Sequence, residues 1–449
     1  MQPVEAQSAD VRPPHPLIAA AVRRFVLVTA LLATTSYVAL YTRPDAPAPI
    51  RSDGYSYYVY LPSWLLYRDV SLDRLAQDWY GGRYPSFSAI TRWAATGRWV
   101  NPHPIGPAVL MSPAFAIAHA LTRWSNLPPD GFSLYYQHGA GLAGLAWFLV
   151  GLAVLRALLR RYFDDGIVLA TLVAITWGTN LFHYGVYDSG FSHAFSFSLI
   201  AIFLWLTERW WRSSTPGLSL LLGVVAGSIV LCRLTNALFL LLWPLFGVTD
   251  ASTARRRVAE LWLRRREVTI VAAASLAVVL PQLAIYRAAT GTWLASPYQG
   301  LDAAGFRFAS PHLAGVLFST QKGVFFWSPI LLFACAGFPV ARSIARAYRL
   351  AAIVILAVDT YLIASWSDWQ FGGSYGHRGF TDGLALVALF LAAFFAWTAR
   401  HPRLKLAVAC LTVLAVALSV LQMAQYWMGI IPIADTTWAQ YRAVFLRFR

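Results

Sequence analysis

An aspartate, Asp53, lies in the stretch RSDGYSYYVYLP (51–62), directly after the first long apolar run of the chain. It stands where a membrane-spanning helix should emerge into water, and Gly54 and a run of tyrosines follow it. Asp-Gly pairs are common in turns, so an N-cap or a turn before Gly54 is the structural alternative. Most other polar residues without a packing explanation fall on the same predicted side of the membrane. We therefore predict a membrane enzyme with one water-facing site around Asp53.

The composition indicates a membrane protein with many spans. Of 449 residues, 58% are hydrophobic and 12% are charged, whereas soluble domains carry roughly a quarter charged residues. The net charge of +16 comes from short basic segments between apolar runs, which orient membrane helices and give no indication of nucleic-acid binding. Cys232, Cys335 and Cys410 lie in apolar runs without paired or ligand-like spacing, so neither a disulfide nor a zinc site is expected.

Eleven apolar runs are long enough, or nearly so, to cross the hydrocarbon layer. They are residues 25–42, 134–155, 166–184, 190–206, 217–232, 234–248, 268–286, 324–341, 350–366, 381–398 and 404–423. The sequence therefore predicts an all-α polytopic membrane protein of about eleven transmembrane helices, forming one domain over residues 1–449. The first run, preceded by Arg23 and Arg24, is expected to remain as an uncleaved signal anchor.

A further run, residues 105–122, decides which loops lie on which side. If it lies in the interface as a juxtamembrane helix, Lys and Arg concentrate in short inner segments, as in cytoplasmic loops; if it spans, every later loop changes sides. We predict the interfacial placement, with a first extracytoplasmic loop at 43–133 and a short outer tail at 424–449. Segments such as YYVYLPSWLLY (57–67) and PSFSAITRWA (85–94) predict helices lying in the interface plane with apolar faces in lipid.

Five stretches taken together resemble the GT-C superfamily of integral-membrane glycosyltransferases, in particular the protein mannosyltransferase and aminoarabinose transferase group. They are RSDGYSYYVYLPSWLLYRDVSLD from Arg51, NPHPIGPAVLMSPAFAIAH from Asn101, CRLTNALFLL from Cys232, GVLFSTQKGVFFWSP from Gly315 and WSDWQFGGSYGHRGFTD from Trp366. In that superfamily the sugar is carried on polyprenyl phosphate. The first outer loop holds an Asp just past the first helix, followed by a Pro-rich segment that enters a juxtamembrane helix.

By position, the resemblance implies that Asp53 is the catalytic carboxylate. A hydroxyl is a poor nucleophile at neutral pH, and a carboxylate within hydrogen-bond reach can take its proton as it attacks the anomeric carbon. A single base, with the lipid phosphate as leaving group, implies inversion at that carbon. The departing phosphate needs cationic donors in a poorly hydrated site.

Four residues are the candidates for binding the donor phosphate: His103, Arg233, Lys322 and Arg378. Arg233 lies between two apolar runs, at the predicted tip of a hairpin, where it would contact phosphate or extend to the interface. Lys322 precedes a helix at the outer boundary and would otherwise be an interfacial anchor. Arg378 follows His377 in a glycine-rich loop, where a pair with Asp382 is the alternative. His103, in NPHPIG, would otherwise be a turn residue.

Tyr57, Asp188, His193 and Asp382 are expected to contact the substrate. Asp188 and His193, in VYDSGFSHAF, could orient the acceptor or hold a divalent ion, with an N-cap and a helix-surface histidine as the alternatives. Two ligands are too few for a metal site, so we predict no metal and no other cofactor; a divalent cation is not indicated. Asp359, within an apolar run, is expected to be protonated or paired with a polar residue of a neighbouring helix.

The predicted function is a hexosyltransferase-type glycosyltransferase that works on the outer face of a prokaryotic inner membrane. It would move a sugar from a polyprenyl-phosphate carrier to a glycan, lipid or protein acceptor, with no nucleic-acid partner. A transporter or flippase of lipid-linked sugars is the main alternative, because it would hold phosphate without a general base. A ligase acting on a pyrophosphate carrier and a noncatalytic assembly protein are two further alternatives.

Overall fold

The computed structural model describes residues 16–80, 89–295, 298 and 305–448. In these residues the regular structure is helical apart from two short strands, β1 (Thr91–Arg92) and β2 (Trp99–Val100). The strands pair antiparallel, with Thr91 opposite Val100. The all-α prediction is therefore confirmed.

The described residues form eighteen α-helices and three short helices of other types. The α-helices are α1 (Pro16–Tyr41), α2 (Ser52–Tyr58), α3 (Asp73–Tyr80), α4 (Gly106–Trp124), α5 (Leu134–Leu159), α6 (Asp165–Trp177), α7 (Leu181–Val186), α8 (Ser192–Arg212), α9 (Pro216–Cys232), α10 (Ala251–Leu263), α11 (Arg265–Thr290), α12 (Leu313–Phe318), α13 (Val324–Trp327), α14 (Leu331–Val340), α15 (Ser343–Ser365), α16 (Leu384–Thr398), α17 (Pro402–Trp427) and α18 (Trp438–Val444). A π-helix covers Pro62–Leu66, and 3₁₀-helices cover Leu234–Leu242 and Arg378–Phe380.

Five helices, α1, α5, α11, α15 and α17, are long and apolar enough to cross a membrane. Four others, α6, α9, α14 and α16, are apolar but shorter. These helices identify the chain as an integral membrane protein, whereas the number of eleven spans stays a prediction.

The apolar helices divide into an inner group and an outer group. Nearly all side chains of α8 and α16 are buried, so these two helices lie at the centre. In contrast, α1, α11 and α17 leave large apolar side chains exposed, among them Leu31, Leu276 and Leu414. Since exposed leucines on this scale favour contact with hydrocarbon, the outer helices are the ones that face lipid.

Three of the predicted spans are interrupted in the structure. Residues 324–341 form α13 and α14, separated at Ser328 and Pro329, because proline lacks an N–H and disfavours a helical residue before it. Residues 166–184 form α6 and α7, with Gly178 at the break. The predicted hairpin at Arg233 has α9 as its first leg, but its second leg is the nine-residue 3₁₀-helix, about 18 Å long at 2 Å per residue.

The tyrosine-rich start of the first outer loop is buried, contrary to the predicted lipid-facing placement. Tyr55, Tyr57, Tyr58 and Tyr60 are each at most 5% exposed. Two of their hydroxyls donate to backbone carbonyls: Tyr58 to Gly131 O at 2.6 Å and Tyr60 to His103 O at 2.8 Å. The segment 85–94 lies partly outside the described residues. The run 105–122 forms α4, which packs against α2, α5 and α9, and its placement in the interface stays a prediction.

Helices α14 and α16 approach each other backbone to backbone. A Cβ atom on Gly337 would come within 1.9 Å of Phe390 O, while the rings of Phe338 and Phe390 stack with centroids 3.9 Å apart. We expect Gly337→Ala to lower the free energy of unfolding by about 2 kcal/mol, because α14 must move away from α16.

The control for this variant is Gly166→Ala in α6, where a Cβ atom meets nothing within 4 Å. That change should raise stability by about 0.5–1 kcal/mol through helix propensity. Thermal unfolding of both proteins in the same detergent checks the prediction, and equal melting temperatures would contradict it.

Candidate active site

Asp53 lies in the first turn of α2, the short buried helix that follows α1. The chain enters α2 through Arg51, which has extended backbone, and Ser52, whose φ of 48° turns the chain sharply. Gly54 leaves room for Phe191, because a Cβ there would lie 3.3 Å from the phenyl ring. Since Phe191 is the N-cap of α8, this contact holds α2 against the start of the central helix.

Asp53 forms an ion pair with Arg378, 325 residues later in the chain. Arg378 Nη1 lies 2.7 Å from Asp53 Oδ2. His103 Nε2 lies 3.8 Å from the same oxygen, too far for a hydrogen bond. The side chain of Asp53 is 24% exposed and that of Arg378 is 12% exposed. The structure thus brings together three of the predicted site residues, and Arg378 pairs with Asp53 instead of with Asp382.

The pKa of the Asp53 carboxyl lies well below its usual range. Burial raises this pKa, but Arg378, followed by His103 and His193, lowers it by more. The carboxylate is therefore ionised at physiological pH. While Arg378 is paired with it, it is a weak base.

His103 is fixed by the turn in which it lies. The backbone N–H of His103 donates to Asn101 Oδ1 at 3.0 Å, and Asn101 Nδ2 donates to Ser56 O at 2.6 Å. The imidazole meets the ring of Tyr57 edge-on, with centroids 4.7 Å apart. The NPH turn is therefore held on α2, and the imidazole is directed by its neighbours toward the Asp53 carboxylate.

Asp382, just before α16, is the centre of a second cluster. Its Oδ1 lies 2.8 Å from His193 Nδ1, and its Oδ2 accepts from Arg233 Nη1 at 3.1 Å and from Asn236 Nδ2 at 2.9 Å. Arg233 can reach Asp382 because the backbone between α9 and the 3₁₀-helix is extended at this residue. Asn236 was not predicted, although it stands in the CRLTN stretch three residues after Arg233.

The two clusters belong to one site. The charge of Arg233 acts on Arg378 and on Tyr57, and the Tyr298 hydroxyl interacts electrostatically with both Arg233 and Asp53. Tyr57 packs on His103, and its hydroxyl interacts electrostatically with Arg233 and with Asp53. Seven predicted residues therefore converge here: Tyr57 and Asp53 from α2, His103, His193, Arg233, Arg378 and Asp382.

Asp188 belongs to a different network from His193, with which it was expected to act. Its Oδ1 accepts from Arg51 Nη2 at 2.6 Å, and its Oδ2 lies 2.8 Å from His183 Nε2. The other imidazole nitrogen, His183 Nδ1, accepts from Trp427 Nε1 at 2.9 Å. Because both carboxylate oxygens have partners and the side chain is 8% exposed, Asp188 supports Arg51, the N-cap of α2, and its contact with the substrate stays a prediction. Neither Arg51 nor His183 was predicted.

Lys322 forms hydrogen bonds to two backbone carbonyls near the site and does not pair with Asp53. Its ammonium donates to Ser374 O in the glycine-rich loop and to Ile433 O in the C-terminal segment, the latter at 2.9 Å. The residue is 2% exposed, and burial, with the charge of Arg378, lowers the pKa of Lys322 to about 7. Lys322 therefore ties the loop that carries Arg378 to the C-terminal segment, and its contact with a phosphate stays a prediction.

In the part of the chain that the structure describes, no three side chains of His, Cys, Asp or Glu lie together as a metal site would require. The three cysteines are all free thiols. Asp359 is half-buried on α15 and acts electrostatically on Arg233, which places it beside the site.

We expect Asp188→Asn to lower the free energy of unfolding by about 3 kcal/mol, because it removes the charge that compensates the nearly buried guanidinium of Arg51. Asp45→Asn, a change at an exposed residue between α1 and α2, is the control with the same change in charge and should leave stability unchanged. Denaturant or thermal unfolding in detergent distinguishes the two, and equal stabilities would contradict the assignment.

The lowered pKa of Lys322 predicts that the free energy of unfolding depends on pH. Because its native pKa of about 7 lies below that of an exposed lysine, the unfolded chain binds more protons than the native chain between pH 7 and about 10. The free energy of unfolding of the wild type should therefore rise with pH relative to Lys322→Met. Melting temperatures of both proteins at pH 6.5, 7.5 and 9 test this, and a difference that is constant or falls with pH would contradict it.

No family model and no curated protein matches the chain. Among solved structures, the fold is similar to that of the archaeal oligosaccharyltransferase AglB from Archaeoglobus fulgidus, in complex with an inhibitory peptide and a dolichol-phosphate. The TM-score is 0.49 at 12% identity, and the match covers 91% of this chain and 56% of that chain. The chain thus spans little more than half the length of that protein. The sequence motifs led us to expect a resemblance to integral-membrane glycosyltransferases, and the matched protein is an oligosaccharyltransferase.

Proposed function

We propose that this chain is a membrane glycosyltransferase that moves a sugar from a polyprenyl-phosphate carrier to a hydroxyl acceptor. The observation that carries the proposal is the Asp53–Arg378 pair at 2.7 Å, with a second guanidinium, Arg233, in the adjoining cluster. A carboxylate beside two guanidinium groups matches what the reaction needs, namely a proton acceptor and cations for the leaving phosphate.

The two arginines suit a phosphate ligand. Arg378 and Arg233 each have one carboxylate partner, and the guanidinium fork has five N–H donors, so further donors are available for phosphate oxygens. A phosphate bound to these further donors of Arg378 would bring negative charge close to Asp53. Donor binding would then offset the positive charge that holds the pKa of Asp53 low, and the carboxylate would become a stronger base as the donor arrives.

The transfer step follows from this arrangement. The acceptor oxygen forms a bond to the anomeric carbon while the bond from that carbon to the phosphate oxygen breaks. The acceptor's proton passes to the Asp53 carboxylate, and the electron pair leaves on the phosphate, whose charge Arg378 and Arg233 stabilise. Because one displacement occurs at the anomeric carbon, its configuration is inverted. Tyr57, His193 and Asp382 would line the site around the sugar.

The membrane setting agrees with a lipid-borne donor. Helices α1, α11 and α17 have exposed apolar side chains that favour contact with the hydrocarbon of a bilayer. A polyprenyl chain is soluble only in the same hydrocarbon. With the predicted topology of about eleven spans, the site would lie on the extracytoplasmic face of a prokaryotic inner membrane. The acceptor, a glycan, lipid or protein hydroxyl, would arrive from the aqueous side.

Asp53→Asn should lower kcat by at least about 100-fold, because the proton acceptor is lost, while the KM for the donor changes little. Asp45→Asn, exposed on the same loop, should keep wild-type activity. The assay uses purified protein with labelled polyprenyl-phosphate sugars and candidate acceptors. Size-exclusion profiles and melting temperatures of both variants show that each is folded. An Asp53→Asn protein with wild-type kcat would contradict the role of Asp53 as base.

The same assay separates the other functions. A transporter or flippase would move labelled lipid across proteoliposomes and yield no glycosylated product even with wild-type protein. A ligase would accept only the pyrophosphate-linked glycan. In a noncatalytic assembly protein, neither Asp53→Asn nor Arg378→Lys would change anything beyond stability.

A further inference from the structure

A basic cavity of about 680 Å³ lies at the end of α15 opposite to the candidate active site. Arg342, Arg346 and Arg349 line it, and Arg400 lines a smaller adjoining cavity that shares Arg342 with it. Helix α16 begins two residues after Asp382, in the candidate active site, and ends at Thr398, beside Trp397 of the cavity wall. At 1.5 Å per residue its 15 residues span about 22 Å, so the two sites lie at opposite ends of α16.

The arginines of this cavity have no acidic partner among the described residues. No Asp or Glu lines either cavity, and none of the four arginines takes part in an ion pair within the described chain. Two acidic residues at this end are already paired: Glu208 pairs with Arg161 at 3.0 Å and with Arg212 at 2.5 Å, and Asp165 pairs with Arg160 at 3.0 Å. Asp164 is exposed at the start of α6 and lines neither cavity. Uncompensated guanidinium groups around a concave surface favour an anionic ligand from outside the chain.

The surroundings of the cavity point to a lipid. It lies where α14 ends, α15 begins and α16 ends, and half-buried Trp397 stands at its edge, as tryptophans do at membrane interfaces. Arg346 is exposed, and Ile353, two helical turns further along α15, is 49% exposed on the same face. One face of α15 therefore offers guanidinium groups at its end and an apolar stripe above them, which matches a molecule with an anionic head and acyl chains.

We propose that this cavity binds the phosphate headgroup of an anionic phospholipid on the membrane face opposite to the candidate active site. Arg342, Arg346 and Arg349 contact the phosphate, and the acyl chains lie along the exposed face of α15 that includes Ile353. The inference does not depend on the activity proposed above, because it uses none of the residues around Asp53.

The test measures lipid retention by native mass spectrometry, with purified protein exchanged from detergent into nanodiscs of phosphatidylcholine with or without phosphatidylglycerol. The wild type should retain phosphatidylglycerol selectively. Arg346→Gln/Arg349→Gln should weaken retention about tenfold or more, since each basic side chain near the surface adds to the attraction for anionic lipid. Arg265→Gln/Arg266→Gln, an exposed pair at the start of α11 with the same change in charge, should retain the lipid as the wild type does.

Two further measurements keep the outcome decisive. Arg346→Lys/Arg349→Lys keeps the charge and should restore most of the retention, and the melting temperature in pure phosphatidylcholine should be the same for all variants. Equal losses in the two glutamine pairs would overturn the proposal, because retention would then reflect net charge alone. It would also be overturned if millimolar glycerol phosphate protected the wild type against heat while phosphatidylglycerol did not, because the cavity would then take a soluble phosphate.

Discussion

The structure depends on pairing each buried charge with one of opposite sign, in a chain that has few charged residues. With 12% charged residues and 20 acidic ones, each carboxylate inside the protein needs a cation, since an unpaired charge in an apolar interior is very unfavourable. Asp53, Asp188 and Asp382 each meet an arginine, and the three pairs connect residues 325, 137 and 149 positions apart. These pairs hold the start of α2, the turn before α8 and the loop before α16 in one place.

The same interaction has two different consequences in neighbouring networks. At Asp188 both carboxylate oxygens have partners and 8% of the side chain is exposed, so the pair is a fixed support for the start of α2. Asp53 uses one oxygen, Oδ2, for Arg378 and keeps 24% of its side chain exposed. An ion pair that is partly open to an incoming molecule can exchange partners, whereas a closed one can only stabilise. The contrast explains why we assign chemistry to Asp53 and positioning to Asp188.

Arginine has different roles at the two ends of the helical bundle. In the candidate active site, Arg233 and Arg378 are paired with carboxylates and tied into networks with histidine, asparagine and tyrosine. At the other end, Arg342, Arg346 and Arg349 surround a cavity without acidic residues in its wall. Guanidinium groups paired with carboxylates are held in a fixed geometry, while unpaired ones favour an anionic ligand. The pairing of arginine thus distinguishes the two ends of the helical bundle.

The sequence alone determined the class of protein and most members of the candidate site. Apolar runs indicate membrane helices because hydrocarbon excludes polar side chains, and Asp53, His103, Arg233 and Arg378 are recognisable because charge next to such runs is rare. Tertiary structure alone decided the partners. Sequence proximity favoured a pair of Arg378 with Asp382 and a shared role for Asp188 and His193, yet contacts between distant segments chose Asp53 for Arg378 and Arg51 for Asp188. Packing between distant segments likewise decided that the tyrosines of α2 are buried, that a helix is interrupted at Pro329, and that Lys322 bonds to Ser374 O and Ile433 O. No local pattern of residues contains this information.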